Sequence, residues 1–275
     1  MIALDQTLAA QPGASVEPAQ LARLLAQLDA IHDADEGDGL SQFTRAACVQ
    51  KAQDKAEQHL ATIFRAYSLT QHWHDFAQND ASLPAALLHA APKRQIEFAA
   101  GRWCARQALR QLAYHGAAEI GIGEHRCPQW PDAFIGSISH SQGWALAVVG
   151  HRARFEAIGI DLEAILPEAS AHSVSRHLAI ASELAVGRLH GLPYAIWVSL
   201  LFSAKESLFK ALYPAVGRYF HFHDALAHDL HLPQGRLSLR LCTHLSEQHP
   251  AGRAYPIRFA IHARHLITRC VLHQP

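Results

Sequence analysis

The 275-residue sequence lacks the features that mark secreted, membrane or thiolate-metal proteins. Its five cysteines are scattered, odd in number and form no CxxC pair, so they indicate neither a disulfide framework nor a zinc site. No run of about 18 uncharged apolar residues predicts a membrane span. No basic segment followed by an apolar one predicts a signal peptide. We therefore expect a reduced, cytoplasmic protein without a membrane span.

An excess of charge of either sign is also missing. The 24 Lys and Arg residues balance the 24 Asp and Glu residues, which gives no indication of a nucleic-acid partner. The sequence contains neither HEXXH nor G-x-S-x-G, which disfavours a zinc metalloprotease and a serine hydrolase. Hydrophobic residues make up 49% of the chain, enough for the core of one large domain or two small ones.

Hydrophobic periodicity predicts a helical first part and a mixed remainder. Residues 1–65 have leucines at helical spacing and a second candidate helix from Gln42 to Arg65, so we expect a helical extension that is partly disordered at its start. The predicted strands after it cover 66–76, 144–150, 155–165, 236–245, 254–263 and 265–273, and the polar segment GSISHS at 136–141 is interpreted as a turn. The predicted helices cover 92–114, 179–190 and 193–213.

The helix predicted for 92–114 carries two stripes of opposite character. Pro92 suits its first turn, and an apolar stripe follows at Ile96, Ala99, Ala100 and Trp103. A basic stripe is formed by residues four apart, namely Arg102, Arg106 and Arg110. The simplest interpretation of the basic stripe is a solvent-facing side of the helix.

Two carboxylates stand two residues apart in the predicted strand FEAIGIDLEAI. Asp161 and Glu163 therefore point to the same face, where like charges repel. Water can offset this repulsion, but the apolar flanks predict partial burial, which makes an uncompensated charge costly. A hard divalent cation such as Mg²⁺ is a natural counter-charge, with Glu206 as a possible third carboxylate.

Basic residues elsewhere suit a phosphate that would accompany such an ion. The candidates are Arg94, Arg102, Lys205 and Lys210, and the GSISHS segment adds hydroxyls and an imidazole. Taken alone, Glu206 and Lys210 predict only an ordinary i,i+4 pair on a helix. Ser139 and His140 are adjacent in sequence, and adjacent residues of an extended segment point to opposite faces, which argues against a nucleophile–base pair.

Four motifs in order resemble the 4′-phosphopantetheinyl transferases, in the branch that includes enterobactin synthetase component D and the surfactin-type activating enzymes. They are KRQIEFAAGRWCAR (93–106), PQWP followed by GSISHS (128–141), GIDLE (159–163) and FSAKESLFKALYP (202–214). The resemblance runs from residue 66 to the end of the chain. It implies an α/β (α+β) fold of two similar subdomains, 66–150 and 151–275, related by a pseudo-twofold axis. Each would be a small, mainly antiparallel sheet packed on a long helix.

The resemblance also implies a reaction and its central residues. Family members move the 4′-phosphopantetheine arm of coenzyme A to a serine of an apo acyl or peptidyl carrier protein, releasing adenosine 3′,5′-bisphosphate. Asp161, Glu163 and Glu206 match the positions that bind Mg²⁺, for which Mn²⁺ can substitute. Glu206 also matches the residue that takes the serine proton, and Lys210 matches the lysine that stabilises the phosphate oxygens.

Further positions match contacts to coenzyme A. Arg94 and Arg102 match phosphate-binding positions, and Lys205 is a further candidate. Ser139 and His140 match a pair near the 3′-phosphate, and Phe220 matches a position near the pantetheine arm. The adenine-site turn falls at His125–Pro128, where EHRCP lacks the usual lysine and Arg126 is a candidate replacement. Arg106 and Arg110 either face solvent or contact an acidic carrier.

Two other functions remain open at this stage. One is a non-catalytic module that binds coenzyme A or a carrier protein on the same scaffold, and the other is a metal-dependent phosphoester hydrolase. The sequence does not select among fatty-acid, polyketide, nonribosomal-peptide and siderophore carriers. The internal duplication expected of this branch favours a monomer.

Overall fold

The computed structural model describes residues 60–66, 83–116, 119–262 and 264–275. Most of the expected helical extension and of the strand predicted for 66–76 lies outside these residues. The described chain divides into two compact units. The first unit contains residues 60–162 and 271–275, and the second contains residues 163–270.

The first unit is built from a three-stranded sheet and one long helix. Its sheet has the antiparallel order β1-β5-β4, with β1 at Leu60–Ala66, β4 at Phe134–Ser141 and β5 at Trp144–His151. The long helix α1 spans Pro92–Gln111. A short hairpin pairs β2 at Gly121–Ile122 with β3 at Pro128–Gln129.

The helix predicted to run to Arg65 is wrong over its last six residues, which belong to β1. This strand pairs with β5 in a continuous antiparallel register from Leu60 opposite Gly150 to Ala66 opposite Trp144. Local sequence explains the outcome, because LATIFRA contains β-branched and aromatic residues that favour strands. The free edge of β5 supplies the backbone partners that a helix would otherwise provide internally.

The helix α1 confirms the apolar stripe predicted from the sequence. It begins at Pro92, which occupies a first-turn position, and ends at Gln111, three residues before the predicted end. Ile96 and Ala100 are fully buried. The core that α1 forms with the sheet also contains Ala61, Ala99, Cys104, Ala105, Ala108, Leu109, Phe134, Ala145, Ala147 and Val149. The many alanines allow the helix backbone to approach the sheet closely.

The second unit contains three helices and the strands β7, β8 and β9 with most of β10, which belong to the five-stranded sheet β6-β10-β9-β8-β7. The helices are α2 at Glu168–Leu178, α3 at Ala181–Leu189 and α4 at Tyr194–Val216. The strands are β6 at Phe155–Ala164, β7 at Ala225–His231, β8 at Arg236–Leu241, β9 at Ala254–His262 and β10 at His265–His273. Strand β6 passes from the first unit to the second after Leu162, and β10 returns after Cys270. The sequence prediction missed α2 and β7.

The long helix α4 is the main apolar element of the second unit. Trp197, Leu201, Leu208 and Leu212 are almost completely buried along its length. The helix ends at Gly217, whose φ of 68° is left-handed and whose N–H donates to the Tyr213 carbonyl at 2.8 Å. Each unit thus has antiparallel strands and a long helix, which confirms the predicted α/β fold class.

A buried ion pair joins α4 to the other elements of the second unit. The Lys205 ammonium donates to the Glu183 carboxylate at 2.8–3.0 Å and to the carbonyls of Leu178 at 2.8 Å and Phe222 at 2.9 Å. Glu183 also accepts the backbone N–H groups of Ile180 and Ala227. Burial lowers the pKa of Lys205, and the Glu183 carboxylate partly offsets this effect.

No helix in the ranges that the structure describes is both long and apolar enough to cross a membrane.

The buried ion pair gives a stability prediction. Lys205→Met should lower the free energy of unfolding by about 3–5 kcal/mol, because it leaves the Glu183 carboxylate buried without its cation. The same change at Lys93, whose side chain is 65% exposed and lies 3.9 Å from Glu97, should cost only a small fraction of that. Urea unfolding of both variants measures the difference. Equal losses would contradict the structural role of Lys205.

Candidate functional site

Asp161 is a buried carboxylate with a defined hydrogen-bond donor. It lies on β6, is 5% exposed, and its Oδ1 accepts a hydrogen bond from Ser139 Oγ at 3.0 Å. Ser139, on β4, is also 5% exposed and accepts the Leu162 N–H at 3.1 Å. The structure therefore brings together two of the predicted site residues. It also shows that the proton of the Ser139 hydroxyl is donated to Asp161.

Glu163 follows Asp161 by two residues on the same strand and begins the second unit. Its side chain is half-buried, and its Oε1 accepts the N–H of the next residue, Ala164, at 3.1 Å. Both residues lie on β6 at the two-residue spacing at which side chains of a strand point to the same face. Their environments differ, since Asp161 is buried and Glu163 is partly open to solvent.

Arg94 and His140 form a second contact between predicted site residues. Arg94 Nη1 lies 3.1 Å from His140 Nε2, and His140 Nδ1 lies 3.8 Å from the Glu97 carboxylate. A guanidinium has no acceptor, so Nε2 of His140 accepts in this geometry and the ring proton is on Nδ1, facing Glu97. This arrangement presents an exposed guanidinium beside an imidazole, which is suited to an anion.

Glu97 is a site-region residue that the sequence analysis did not identify. It is 9% exposed on α1, and it approaches both Lys93 and His140. Lys93 and Glu97 have i,i+4 spacing, and this spacing was the sequence feature from which their contact could have been predicted. The proximity of His140 depends on the packing of β4 against α1, which local spacing does not reveal.

The basic stripe of α1 does not face solvent as predicted. Arg102 and Arg106 are 8% and 7% exposed, and Arg110 is the exposed member. Arg102 donates to the carbonyls of Ile120 at 2.8 Å and Gly121 at 3.1 Å. Its pKa is lowered to about 10, chiefly by burial and further by the charges of Arg94 and Arg106. Arg102 therefore anchors the chain that leads into β2.

The EHRCP segment forms an exposed turn between β2 and β3. His125 and Arg126 have left-handed φ values of 53° and 67°, which is uncommon for residues other than glycine. The turn is closed by the N–H groups of Gly123 and Arg126, which donate to the carbonyls of Cys127 and Gly123. Pro128 then begins β3. The conformation holds two basic side chains at the surface of the first unit.

The helix α4 carries the remaining predicted residues of the reaction. Glu206 and Lys210 are half-buried and one helical turn apart. Lys205 precedes Glu206 and is 3% exposed, with its ammonium surrounded by two carbonyls and the Glu183 carboxylate. Because an ammonium has three N–H donors, these acceptors use them all. Lys205 is therefore a structural residue, which corrects the expected phosphate contact.

Phe220 belongs to an aromatic cluster after α4. Its ring centroid lies 5.0 Å from that of Phe209, and Phe209 also contacts Tyr213 and Tyr219 at 5.1 and 5.4 Å. Tyr213 is buried, whereas Tyr219 is 67% exposed. The cluster fixes the loop that follows Gly217 and presents a partly open apolar surface one turn from Lys210.

The predicted carboxylate ligands fit a magnesium ion only if water and a substrate phosphate also bind that ion. Among the residues with described positions, no group of three or more His, Cys, Asp or Glu side chains could hold a metal ion by itself. Mg²⁺, however, is usually bound by one or two carboxylates together with water and the phosphates of a substrate. A buried carboxylate such as Asp161 fits that mode, in which a phosphate ligand supplies further oxygens.

Comparisons with known proteins cover both units. A family model described as the 4′-phosphopantetheinyl transferase N-terminal domain matches residues 83–150, and one described as the 4′-phosphopantetheinyl transferase superfamily matches residues 157–262. The 4′-phosphopantetheinyl transferase Svp of Streptomyces mobaraensis is 36% identical over 177 residues, which are 60% of this chain and 70% of Svp.

Two further relatives match shorter stretches. Enterobactin synthase component D of Salmonella typhi is 38% identical over 46% of this chain and 51% of its own length. The 4′-phosphopantetheinyl transferase Npt of Nocardia iowensis is 40% identical over 48% of this chain and 58% of its own. The match thus spans little more than half of these two relatives. With the two family models and the longer match to Svp, these findings show that the chain belongs to the 4′-phosphopantetheinyl transferase superfamily, a family of transferase enzymes.

Proposed function

We propose that the protein transfers the 4′-phosphopantetheine arm of coenzyme A to a serine of an apo acyl or peptidyl carrier protein. The observation that carries the proposal is the match of two transferase family models, in order, to the two parts of the chain. The second match contains Asp161, Glu163, Glu206 and Lys210, the residues on which the proposed chemistry depends. Because one relative is named enterobactin synthase component D, we propose the carrier domains of enterobactin synthesis as the first substrates to test.

The proposed reaction is a phosphoryl transfer. The carrier serine oxygen forms a bond to the phosphorus that bears the pantetheine arm. The bond from that phosphorus to the bridging oxygen breaks, and adenosine 3′,5′-bisphosphate leaves. The serine proton passes to the Glu206 carboxylate, directly or through water. Positioning and charge stabilisation dominate such reactions, because the protein makes no covalent intermediate.

The charged residues have distinct proposed roles. One or two of the carboxylates of Asp161, Glu163 and Glu206 would supply oxygens for Mg²⁺, or for Mn²⁺ in its place, and water and phosphate oxygens would complete its ligands. When bound, the ion neutralises charge on the coenzyme A diphosphate. The Lys210 ammonium donates to phosphate oxygens as negative charge moves toward the leaving group.

The proposed coenzyme A contacts lie mainly in the first unit. Arg94 adjoins His140 and has five N–H donors, so the guanidinium would bind the 3′-phosphate through N–H groups that His140 does not accept, and His140 would lie beside that phosphate. Arg102 retains N–H donors beyond the two that bind backbone carbonyls, so a phosphate contact stays part of the proposal. His125, Arg126 and Pro128 would contact the adenine, and Phe220 of the second unit would contact the arm. We also propose a cytoplasmic monomer.

Incubation with coenzyme A, Mg²⁺ and a panel of apo-carrier proteins tests the proposed function directly. We expect one carrier to gain the mass of one 4′-phosphopantetheine arm and adenosine 3′,5′-bisphosphate to appear in equal amount. Coenzyme A binding measured by calorimetry without any mass gain would instead identify a non-catalytic binding module. Release of phosphate from generic phosphoesters would identify a hydrolase.

Substitution of the proposed reaction residues should remove transfer without unfolding the protein. Asp161→Ala, Glu206→Ala and Lys210→Ala should each lower kcat/KM by about 100-fold or more. Glu168→Ala is a suitable control, since Glu168 is an acidic residue of the second unit with a 62% exposed side chain. A folded variant with the turnover of the unaltered protein would exclude that residue from its role.

Substitution of Arg94 should weaken the binding of a ligand that has a 3′-phosphate more than the binding of one that lacks it. Arg94→Ala should weaken coenzyme A binding by about tenfold or more, because a charge-assisted hydrogen bond is lost. Binding of dephospho-coenzyme A, which lacks the 3′-phosphate, should change little. Titration calorimetry with both ligands measures this difference, and Lys93→Ala controls for the loss of one positive charge on the same helix. Equal weakening toward both ligands would place Arg94 away from the 3′-phosphate.

A further inference from the structure

Two serines on β4 make the same backbone contact to β6. Ser137 Oγ accepts the N–H of Ile160 at 3.1 Å, and Ser139 Oγ accepts the N–H of Leu162 at 3.1 Å. Both serines are 5% exposed. All of these residues belong to the first unit. The two hydroxyls thus form equivalent hydrogen bonds, two residues apart on each strand.

The two serines differ in what precedes the amide that they bind. Leu162 follows Asp161, whose Oδ1 accepts the Ser139 hydroxyl at 3.0 Å. Ile160 follows Gly159, which has no side chain. Ser139 therefore bridges a backbone N–H and a carboxylate, whereas position 159, which corresponds to Asp161 beside Ser137, offers no carboxylate.

The bridge determines the direction of the Ser139 hydroxyl. A hydroxyl has one proton, and the N–H of Leu162 approaches the oxygen as a donor, so that proton points to the carboxylate of Asp161. Burial of both side chains limits replacement of the bond by water, and the charge on the acceptor strengthens it. The bond therefore restricts the rotation of the Asp161 side chain.

We infer that Ser139 is a positioning residue that orients the Asp161 carboxylate, and that it does not contact the 3′-phosphate of coenzyme A. The inference rests on the proposed function, in which Asp161 supplies an oxygen to Mg²⁺. It differs from the role that family resemblance implies for Ser139, because the hydroxyl proton that a phosphate would need is donated to Asp161. Outer groups that orient metal ligands have measurable effects on metal affinity.

The test compares Ser139→Ala with Ser137→Ala. Both variants remove a buried hydroxyl that accepts a β6 amide, so Ser137→Ala reproduces the structural cost without affecting Asp161. Two binding measurements are made for each protein by titration calorimetry. The first is the affinity of the coenzyme A complex for Mg²⁺, and the second is the ratio of affinities for coenzyme A and dephospho-coenzyme A in the presence of a chelator.

We expect Ser139→Ala to weaken Mg²⁺ binding by about tenfold, the lower end of the effects seen for such orienting groups. Ser137→Ala should leave Mg²⁺ affinity near that of the unaltered protein. The ratio of affinities for the two coenzyme A forms should be the same in both serine variants and in the unaltered protein. In turnover assays, Ser139→Ala should need more Mg²⁺ for half-maximal rate, and Ser139→Thr, which retains a hydroxyl, should recover most of the loss.

Two results would overturn the inference. One is a Mg²⁺ affinity of Ser139→Ala equal to that of Ser137→Ala. The other is a selective loss of coenzyme A over dephospho-coenzyme A in Ser139→Ala, matching that of Arg94→Ala, which would make Ser139 a phosphate contact. Failure of the proposed function is distinct, since the unaltered protein would then modify no carrier. Thermal unfolding of both serine variants verifies that they are compared in the folded state.

Discussion

The buried ammonium of Lys205 constrains the arrangement of the second unit, because it binds acceptors from three separate segments. Removing a charge from water is tolerable only if acceptors surround it, and here they come from the end of α2, from α3 and from the turn before β7. Glu183 satisfies the ammonium and, with the same carboxylate, two backbone N–H groups. The position of α4 among these elements is fixed as a result. Glu206 and Lys210 lie on the same helix within the following turn and a half.

In the first unit, the buried carboxylate of Asp161 is held by a serine hydroxyl. The amides of Ile160 and Leu162 on β6 are bound by serine side chains of β4. Hydroxyls of this kind accept one N–H and still have a proton to donate, which backbone carbonyls do not. One of the two protons is given to Asp161. A contact that joins two strands therefore also holds a carboxylate in place.

The sequence predicted the elements whose hydrophobic pattern is strong. The helices α1 and α4 and the strands β5 and β6 were found because their apolar residues recur at one period over many positions. The strand β1 was missed because an alanine- and glutamine-rich stretch precedes it and its partner β5 lies about 85 residues away in sequence. The helix α2 and the strand β7 contain several polar residues and histidines, which weaken the periodic signal.

Side-chain environments were predicted less well than the elements that carry them. Arginines four apart have the same spacing whether they face water or, as Arg102 does, the carbonyls of a distant segment. The sequence around Lys205 likewise does not contain its partner Glu183, which lies 22 residues earlier. Motif order was a better guide to function, since it led to the family that the comparisons show.

The paired serines show what determines the position of the acidic group on β6. Ser137 and Ser139 accept the N–H groups of Ile160 and Leu162, which are preceded by Gly159 and Asp161 respectively. The position of the carboxylate along β6 therefore depends on which of residues 159 and 161 is an aspartate, and in this sequence residue 159 is a glycine and residue 161 an aspartate.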